Sequence, residues 1–438
     1  MRVAQGWGQA WAAGRGLPDN CHRDGSIQPR GGVRVRASRR VNQAVLLSCL
    51  PGPGQTSRPG PSLSSQIAPR LRHQAGMSRT TVATIHLGAL RHNLARIKAL
   101  SAPAKVMAVV KADAYGHGLE RVARALDGEA DAFAVAALGD GLRLRAAGHR
   151  QRIVVLSGPD HASDIAEMQR LNLDAAIHHE AQLQWLKEVS PARGPLRVWL
   201  KVDSGMHRLG FEPEAVPFVH AQLAAMPGID PEIGLLTHFA ESEVFDGMQT
   251  PAQIIRFAEA TRGLRGPRSL SNSAAVLGWA DARGDWVRTG GLLYGLSVVD
   301  GKTGTDFGFR PAMTLSTRLI AINRIGKGER IGYNGTWTCP EDMPVGVAAV
   351  GYGDGYPRSA AAGTPVLVGE RQVPLIGRVS MDLITLDLRK APDAKVGDRV
   401  TLWGPALPVE IIAARASTIS YDLTCGMTRR VLFVEDEH

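Results

Sequence analysis

Eight short apolar segments recur between residues 105 and 289, and this repetition limits the possible folds more than any other feature. They lie near residues 105–110, 133–137, 153–157, 173–177, 197–203, 233–238, 269–271 and 286–289. Helix-like stretches separate several of them, at residues 119–126, 140–147, 162–170 and 180–188. Because β-branched apolar runs alternate with amphipathic stretches, we predict an α/β fold with an N-terminal (β/α)8 barrel of the TIM type.

The pattern changes near Phe309–Pro311. Beyond that point apolar and polar residues alternate, as over 313–322 and 395–403, and glycine-containing turns become frequent. Alternation with a period of two is typical of half-buried antiparallel strands. With 44% hydrophobic residues in 438, the chain can form two cores. We therefore predict a barrel over residues 77–309 and a mostly antiparallel β domain over residues 310–438.

Residues 1–76 differ in composition from the rest of the chain. They contain eleven arginines, two aspartates and no lysine or glutamate, so +9 of the formal charge of +10 lies in this segment. The remainder is almost neutral, which removes the main support for a nucleic-acid function. The only apolar run of residues 1–76, at residues 44–47, is too short and lies too far from the first residue for a secretion signal. We predict a disordered or non-native upstream extension, with Met77 as the working start.

The four cysteines give no sign of a metal site or of a disulfide framework. Cys21, Cys49, Cys339 and Cys425 show no ligand-like spacing, and two of them lie in the upstream segment. No apolar run approaches the length of a membrane-spanning helix. We therefore predict a cytoplasmic protein without a structural metal and without a membrane partner.

Lys111 stands at the carboxyl end of the first apolar segment, within Val109-Val110-Lys111-Ala112-Asp113-Ala114-Tyr115-Gly116-His117-Gly118. Active sites of such barrels lie at this end of the strands. A partly desolvated lysine amine can condense with an aldehyde cofactor such as pyridoxal phosphate. The alternative is a lysine that has simply reached the exposed end of its strand, and Lys111 alone favours that alternative.

Four further strand ends carry polar residues. They are Lys201 with Arg208, then His238, then Asn272-Ser273, and finally Arg288 with Gly290 and Gly291. Each has an ordinary explanation: a core histidine, a surface arginine or a helix N-cap. A barrel, however, brings all its carboxyl strand ends to one mouth, so together they predict a site.

Each of these residue types suits one part of such a cofactor. The backbone N–H groups of Gly290 and Gly291 and the hydroxyl of Ser273 could bind a phosphate. Arg288 could face a ring nitrogen. Because a guanidinium stays charged and only donates, that nitrogen would remain unprotonated, which suits simple proton exchange at Cα.

The motifs resemble those of alanine racemases, in the same order and over essentially all of Met77–His438. Besides the Lys111 segment they are Lys201-Val-Asp-Ser-Gly-Met-His-Arg208, Thr237-His238-Phe-Ala, Asn272-Ser273-Ala-Ala, Arg288-Thr-Gly290, Gly332-Tyr333, Gly351-Tyr352-Gly-Asp-Gly-Tyr356 and Ser380-Met381-Asp382. Residues 1–76 have no counterpart. Four places depart from the family pattern, and none removes a catalytic group: Thr289 for proline, Leu383 for glutamine, His86 for aspartate, and Gly139-Asp140-Gly141 for a glutamate-rich helix start.

The resemblance implies a pyridoxal 5'-phosphate enzyme that interconverts L- and D-alanine and supplies D-alanine for peptidoglycan. Lys111 would hold the cofactor and act as one base, while Tyr333 of the second subunit of a homodimer would act as the other. A chain from Tyr333 through His238 to Arg288 would tune the phenol. The residues that resemble the phosphate-binding set are Tyr115, Ser273, Gly290, Gly291 and Tyr421.

The resemblance also implies the substrate contacts. Arg208 would lie near the cofactor phenolate and the substrate carboxylate, and the N–H of Met381 would donate to that carboxylate. Lys201 matches a lysine that is carbamylated in many members. Three alternatives stay open: a racemase of broader specificity, a non-catalytic pyridoxal-phosphate-binding barrel, and a barrel decarboxylase or aldolase. The last fits poorly with Arg288, and the second lacks the β domain that carries Tyr333.

Overall fold

The computed structural model describes residues 80–437, and the expected extension over residues 1–76 lies outside that range. Its strands are β1 Val82–His86, β2 Lys105–Val109, β3 Ala132–Val135, β4 Arg152–Val155, β5 Asp174–Ile177, β6 Val198–Lys201, β7 Gly234–Leu236, β8 Arg268–Ser269, β9 Trp286–Thr289, β10 Met313–Ile325, β11 Arg330–Ile331, β12 Trp337–Thr338, β13 Met343–Ala348, β14 Pro365–Val368, β15 Arg371–Ile376, β16 Ile384–Asp387, β17 Arg399–Trp403 and β18 Leu432–Asp436. Its helical segments are α1 Leu87–Ser101, α2 Lys111–Tyr115, α3 Leu119–Ala125, α4 Leu138–Ala146, α5 Ala162–Arg170, α6 Glu180–Leu186, α7 Val216–Ala224, α8 Gln249–Ala260, α9 Ser273–Gly278, α10 Val409–Arg415 and α11 Ser420–Cys425.

Strands β2 to β9 form the predicted barrel. They pair in parallel in the order β8-β7-β6-β5-β4-β3-β2-β9. The ring closes between β8 and β9, where the N–H of Asp285 donates to Arg268 and the N–H of Arg288 donates to Ser271. The central strands are buried on both faces, which is why they read as continuous apolar runs. The predicted α/β fold class is confirmed.

The second sheet is the predicted antiparallel domain, with one addition. Its order is β13-β16-β15-β14-β17-β10-β1-β18, and β13 also pairs with β10. Strand β1 precedes the barrel in sequence but lies in this sheet, antiparallel to β10 and parallel to β18. Its alternating side chains explain the placement, since Ala83 and Ile85 are fully buried. The barrel is thus inserted between the first two strands, in sequence order, of the β domain.

The amino ends of the barrel strands are closed by a buried ion cluster. The Asp174 carboxylate is fully buried and accepts hydrogen bonds from Arg152 (2.5 Å), Arg197 (2.8 Å) and the Trp199 indole (3.0 Å). The Arg152 guanidinium also lies 5.6 Å from the centre of the Trp286 ring. The charges at this end are therefore paired and hydrogen-bonded, as buried charges must be. No helix within residues 80–437 is long and apolar enough to span a bilayer.

Candidate active site

A cavity of about 540 Å³ opens at the carboxyl ends of the barrel strands. Its wall contains nine of the residues predicted from the sequence, namely Lys111, Tyr115, Arg208, His238, Ser273, Arg288, Gly290, Gly291 and Tyr421. Eight of them lie at or after the carboxyl ends of barrel strands, as expected of a barrel mouth, and Tyr421 comes from helix α11. The structure thus brings together side chains that lie up to 310 positions apart in sequence.

Lys111 reaches this wall from an unusual turn. The four residues after it, Ala112 to Tyr115, all have φ between +52° and +55°, so α2 is a left-handed turn without a glycine. Left-handed helical backbone costs roughly 1–2 kcal/mol per residue, so surrounding contacts must hold it. The Asp113 carboxylate provides two of them, accepting from the N–H of Leu119 (3.0 Å) and from Arg143 (3.1 Å).

Aromatic rings hold the other side of the left-handed turn. Tyr294 stacks between Tyr115 and His117, with ring centres 4.9 Å and 4.6 Å apart. Its hydroxyl donates to the carbonyl of Val109, at the end of β2 (3.0 Å). Burial lowers the pKa of His117 to about 4, so this imidazole is neutral at pH 7. The turn, and with it Lys111, is therefore fixed on both flanks.

Four cations converge on the cavity: Lys111, Lys201, Arg208 and Arg288. Glu243 supplies the one carboxylate among the lining residues in the part of the chain described. Burial, followed by the neighbouring arginines, lowers the pKa of Lys111. Burial and then Arg288 lower the pKa of Lys201 to about 8. Like charges held together in this way favour an anionic ligand and a more nucleophilic lysine amine.

Most of the hydrogen-bond donors of Arg288 bind groups of the barrel itself. Its terminal N–H groups donate to the Ser269 carbonyl and hydroxyl (both 2.7 Å), to Thr237 O (2.5 Å) and to Leu270 O (3.2 Å). These bonds use all four terminal protons and leave the Nε–H for a ligand. Burial, then Arg288 and the other cations, lower the pKa of His238 to about 3, so that the imidazole is neutral. No hydrogen bond joins His238 to Arg288 within residues 80–437, so the expected chain is not formed here.

The predicted phosphate-binding residues lie together at one end of the cavity. The Ser273 hydroxyl oxygen accepts the N–H of Gly290 (3.1 Å), which leaves the hydroxyl proton and the N–H of Gly291 to donate. A Cβ on Gly290 would lie 2.2 Å from the Tyr115 hydroxyl, and one on Gly291 would lie 2.0 Å from the Tyr421 hydroxyl. Both positions therefore require glycine. Burial raises the pKa of both tyrosines, so their hydroxyls remain protonated donors.

Tyr333 and Met381 lie elsewhere in the chain. Both belong to the β domain, and neither lines the cavity of the barrel. Tyr333 is 71% exposed and Met381 is 52% exposed. Tyr333 borders a separate shallow pocket with Arg378 and Ser380. A single chain thus holds the two proposed bases at separate sites.

Sequence reasoning missed several groups at or behind the wall. Cys425 lines the cavity close enough to Lys111 to interact with it electrostatically. Gln253 supports the loop that carries His238, although it does not line the cavity. A cysteine and a helix glutamine carry no signal of their own in a single sequence. Asn272, which the sequence singled out as a helix N-cap, does cap α9 through the N–H of Ala275 (2.9 Å) and also bonds Ser242.

Comparison with known proteins agrees with this architecture. The family model "Alanine racemase, N-terminal domain" matches residues 85–298, and "Alanine racemase, C-terminal domain" matches residues 312–434. An alanine racemase from Nitrosococcus oceani is 51% identical over 358 residues, covering 80% of this chain and 97% of its own. One from Coxiella burnetii is 46% identical over 366 residues, covering 82% of this chain and 100% of its own.

Solved structures give the same result. The biosynthetic alanine racemase from Pseudomonas aeruginosa superposes with a TM-score of 0.78 at 42% identity, covering 82% of this chain and 100% of its own. The alanine racemase from Streptomyces coelicolor superposes with a TM-score of 0.77 at 32% identity, covering 82% of this chain and 98% of its own.

Proposed function

Because the chain belongs to the alanine racemase family, a family of isomerases, we propose that it interconverts L- and D-alanine with pyridoxal 5'-phosphate as cofactor. The observation that carries the proposal is the convergence of Lys111, Lys201, Arg208 and Arg288 on one cavity. A buried lysine amine of lowered pKa is suited to bind an aldehyde. The surrounding positive charge suits a phosphorylated cofactor and a carboxylate substrate.

The residues present fit this cofactor. A phosphate would meet the protonated hydroxyls of Tyr115 and Tyr421, which have no hydrogen-bond partner within residues 80–437, together with Ser273 and the N–H of Gly291. Arg288 would present its remaining Nε–H to the ring nitrogen. When bound, the cofactor withdraws the electron pair left at the substrate Cα after proton removal. Since a guanidinium only donates, Arg288 keeps the ring nitrogen unprotonated and restricts the chemistry to proton exchange.

Racemisation needs a base on each face of the substrate, and of the two proposed bases only Lys111 lines the cavity of its own chain. Lys111 would move the proton on its own face. We assign the other face to Tyr333 of the second subunit in a homodimer. The exposure of Tyr333 and its distance from its own cavity support this assignment. Neutral His238 could accept a hydrogen bond from that phenol and tune its basicity.

The substrate contacts follow from the same arrangement. Arg208 would bind the substrate carboxylate from the barrel, and the backbone N–H of Met381 would bind it from the second subunit. Tyr421 from the barrel side, with Tyr352 from the second subunit, would narrow the entrance and favour a small side chain. A carbamate on Lys201 would offset the charge of Arg208. We further propose that the enzyme works in the cytoplasm and supplies D-alanine for peptidoglycan.

The first experiment is a racemisation panel on protein that begins at Met77, with the cofactor spectrum recorded. We expect a lysine-bound cofactor band and turnover of alanine well above that of serine, lysine and arginine. Comparable turnover of all four substrates would replace alanine specificity by broad specificity. A cofactor band without any turnover would favour the non-catalytic alternative.

The second experiment tests the shared site. We expect Lys111→Ala and Tyr333→Phe homodimers to be almost inactive, the latter with its cofactor band retained. Mixed and reassembled, they form heterodimers in which one site has both bases and the other has neither. Activity should recover to about a quarter of wild type for random reassembly. No recovery, with heterodimers demonstrated by native mass spectrometry, would place both bases in one subunit.

A further inference from the structure

Gln253 lies on α8, behind the barrel wall, and its side chain is fully buried. Its Oε1 accepts the N–H of Ala240 (2.9 Å), and its Nε2 donates to the His238 carbonyl (3.1 Å). One amide therefore binds two backbone groups of the segment 238–240, which follows strand β7. Gln253 holds that segment although it does not line the cavity.

The same amide connects this segment with the loop after β6. Gln253 Nε2 also donates to the Ser204 hydroxyl (3.3 Å), which bonds the Thr237 hydroxyl (2.7 Å). The Thr237 hydroxyl donates in turn to the Val202 carbonyl (2.9 Å). The protons are consistent: Ser204 accepts from Gln253 and donates to Thr237. The loops that carry Arg208 and His238 are thus joined through one helix side chain.

The segment is held from the cavity side as well, because Arg288 donates to the carbonyl of Thr237. His238 itself makes no side-chain hydrogen bond within residues 80–437, so the position of its ring depends on its backbone and on packing. Displacements of about 1 Å in a catalytic group can cost about 100-fold in rate. Whatever fixes the backbone of residues 237–240 therefore fixes the imidazole.

We propose that Gln253 is a positioning residue, which orients His238 toward the second base by clamping the backbone of residues 238–240. The proposal rests on the proposed function where it concerns proton transfer. Its structural part, the clamp, can be tested without activity.

The clamp is tested by hydrogen–deuterium exchange on the cofactor-loaded protein, in peptides covering residues 237–242. Gln253→Met keeps the length of the side chain but removes all three hydrogen bonds. We expect exchange in these peptides to quicken at least tenfold. The matched control is Gln249→Met, one turn earlier on α8, which removes a single bond to the Gly205 carbonyl. It should leave residues 237–242 unchanged. Equal exchange in wild type and Gln253→Met would overturn the clamp.

The link to His238 is tested by a double-mutant cycle. We expect Gln253→Met to lower kcat at least tenfold, with KM and the dissociation constant of pyridoxal 5'-phosphate changed less than about twofold. In a His238→Ala background the same substitution should cost less than about twofold further, since both act through one group. Additive losses, or a weakened cofactor, would assign Gln253 a general structural role and overturn the proposal.

A second variant covers failure to fold. Gln253→Glu keeps the acceptor for Ala240 but loses the donor to His238, so it should reproduce the kcat loss with a smaller change in exchange. If neither variant can be recovered folded, Gln253 serves stability and the positioning role is overturned. A wild-type protein inactive on alanine would instead refute the proposed function, while the exchange experiment would still decide the clamp.

Discussion

The two ends of the barrel handle buried charge in opposite ways. At the amino ends, Asp174 is fully buried and neutralised by Arg152 and Arg197. At the carboxyl ends, Lys111, Lys201, Arg208 and Arg288 face one cavity with little negative charge among them. Both ends belong to the same buried strands, and they differ in whether opposite charges lie nearby to compensate the charged side chains.

The contrast separates stability from function. A buried charge that finds its partners inside the fold contributes to a fixed structure. Four cations that face one cavity, of which Lys201 and Arg288 are buried, destabilise the empty site, and an anionic ligand removes that penalty when it binds. Binding of an anionic ligand should therefore strongly raise the free energy of unfolding. It should do so through the carboxyl ends of the barrel strands, called the mouth here, and not through their amino ends, called the base. Substitutions at the two ends should show this difference, because they should change different measured properties of the protein.

The largest expected effect uses two lysines at opposite ends of β2, Lys105 as its first residue and Lys111 two residues after its last. Lys111→Ala at the mouth should abolish the lysine-bound cofactor absorbance and lower racemisation at least about 10⁴-fold. Lys105→Ala at the base, whose ammonium lies 5.4 Å from the Trp286 ring centre, should leave both unchanged. Absorbance spectra and kcat measure the pair. A Lys111→Ala protein that is still active would contradict the assignment of catalysis to the carboxyl ends of the strands.

The next effect is on stability and belongs to the base. Asp174→Ala leaves two arginines without their carboxylate, so the free energy of unfolding should fall by about 3 kcal/mol. Urea titration measures this, and kcat per folded molecule should stay at the wild-type value. Glu167→Gln, which breaks the exposed pair with Arg170 on α5, is the control and should have no measurable effect. A loss of kcat without a loss of stability would contradict the assignment.

A substitution at the mouth should change the free energy of unfolding less. The change should have the opposite sign and should depend on pH. The pKa of Lys201 is about 8 in the fold and 10.5 ordinarily, so the unfolded chain binds more protons between these values. Stability of the cofactor-free protein should therefore rise with pH across that window. Lys201→Met should be more stable than wild type at pH 7, because it removes an ammonium that the folded site disfavours. The difference should shrink toward pH 10.5, whereas a pH-independent difference would mean that Lys201 carries no ammonium in this range, as when a carbamate anion replaces it.

The smallest effect concerns the one departure from the family pattern inside a barrel strand. Thr289 is fully buried, and its hydroxyl has no hydrogen-bond partner within residues 80–437. Thr289→Val replaces that hydroxyl with a methyl group of similar volume and should stabilise the protein by about 1 kcal/mol. Urea titration with the cofactor-free protein measures the gain. Destabilisation would reveal a polar role for Thr289 beside the phosphate-binding residues.

Sequence patterns were sufficient for the barrel because its strands are buried on both faces. The bounds of the segments predicted near 133–137 and 173–177 lie within two residues of those of β3 and β5. They were insufficient where the deciding contact is distant. Strand β1 pairs with residues more than 220 positions away, which no local period can specify.

The site divides in the same way. Motif order predicted most of the residues that line the cavity, since they follow barrel strands, whereas Tyr421 on α11 came only from the family resemblance. The left-handed turn at Ala112–Tyr115 contains no glycine to announce it, and surrounding contacts impose it. Gln253 resembles an ordinary helix glutamine in the sequence, because its importance comes from three hydrogen bonds formed in the tertiary structure.

The position of β1 has a consequence for the order of synthesis. The ribosome releases β1 first and the barrel next. The two strands that pair with β1, namely β10 and β18, emerge only after the barrel. Most of the cavity wall can therefore form on the nascent chain, but Tyr421 and Cys425 of α11 complete it only shortly before Leu432–Asp436 closes the sheet of the β domain. Tyr333 belongs to that late domain. Both the complete cavity and the surface that carries Tyr333 should thus appear late, once the C-terminal residues have been synthesised.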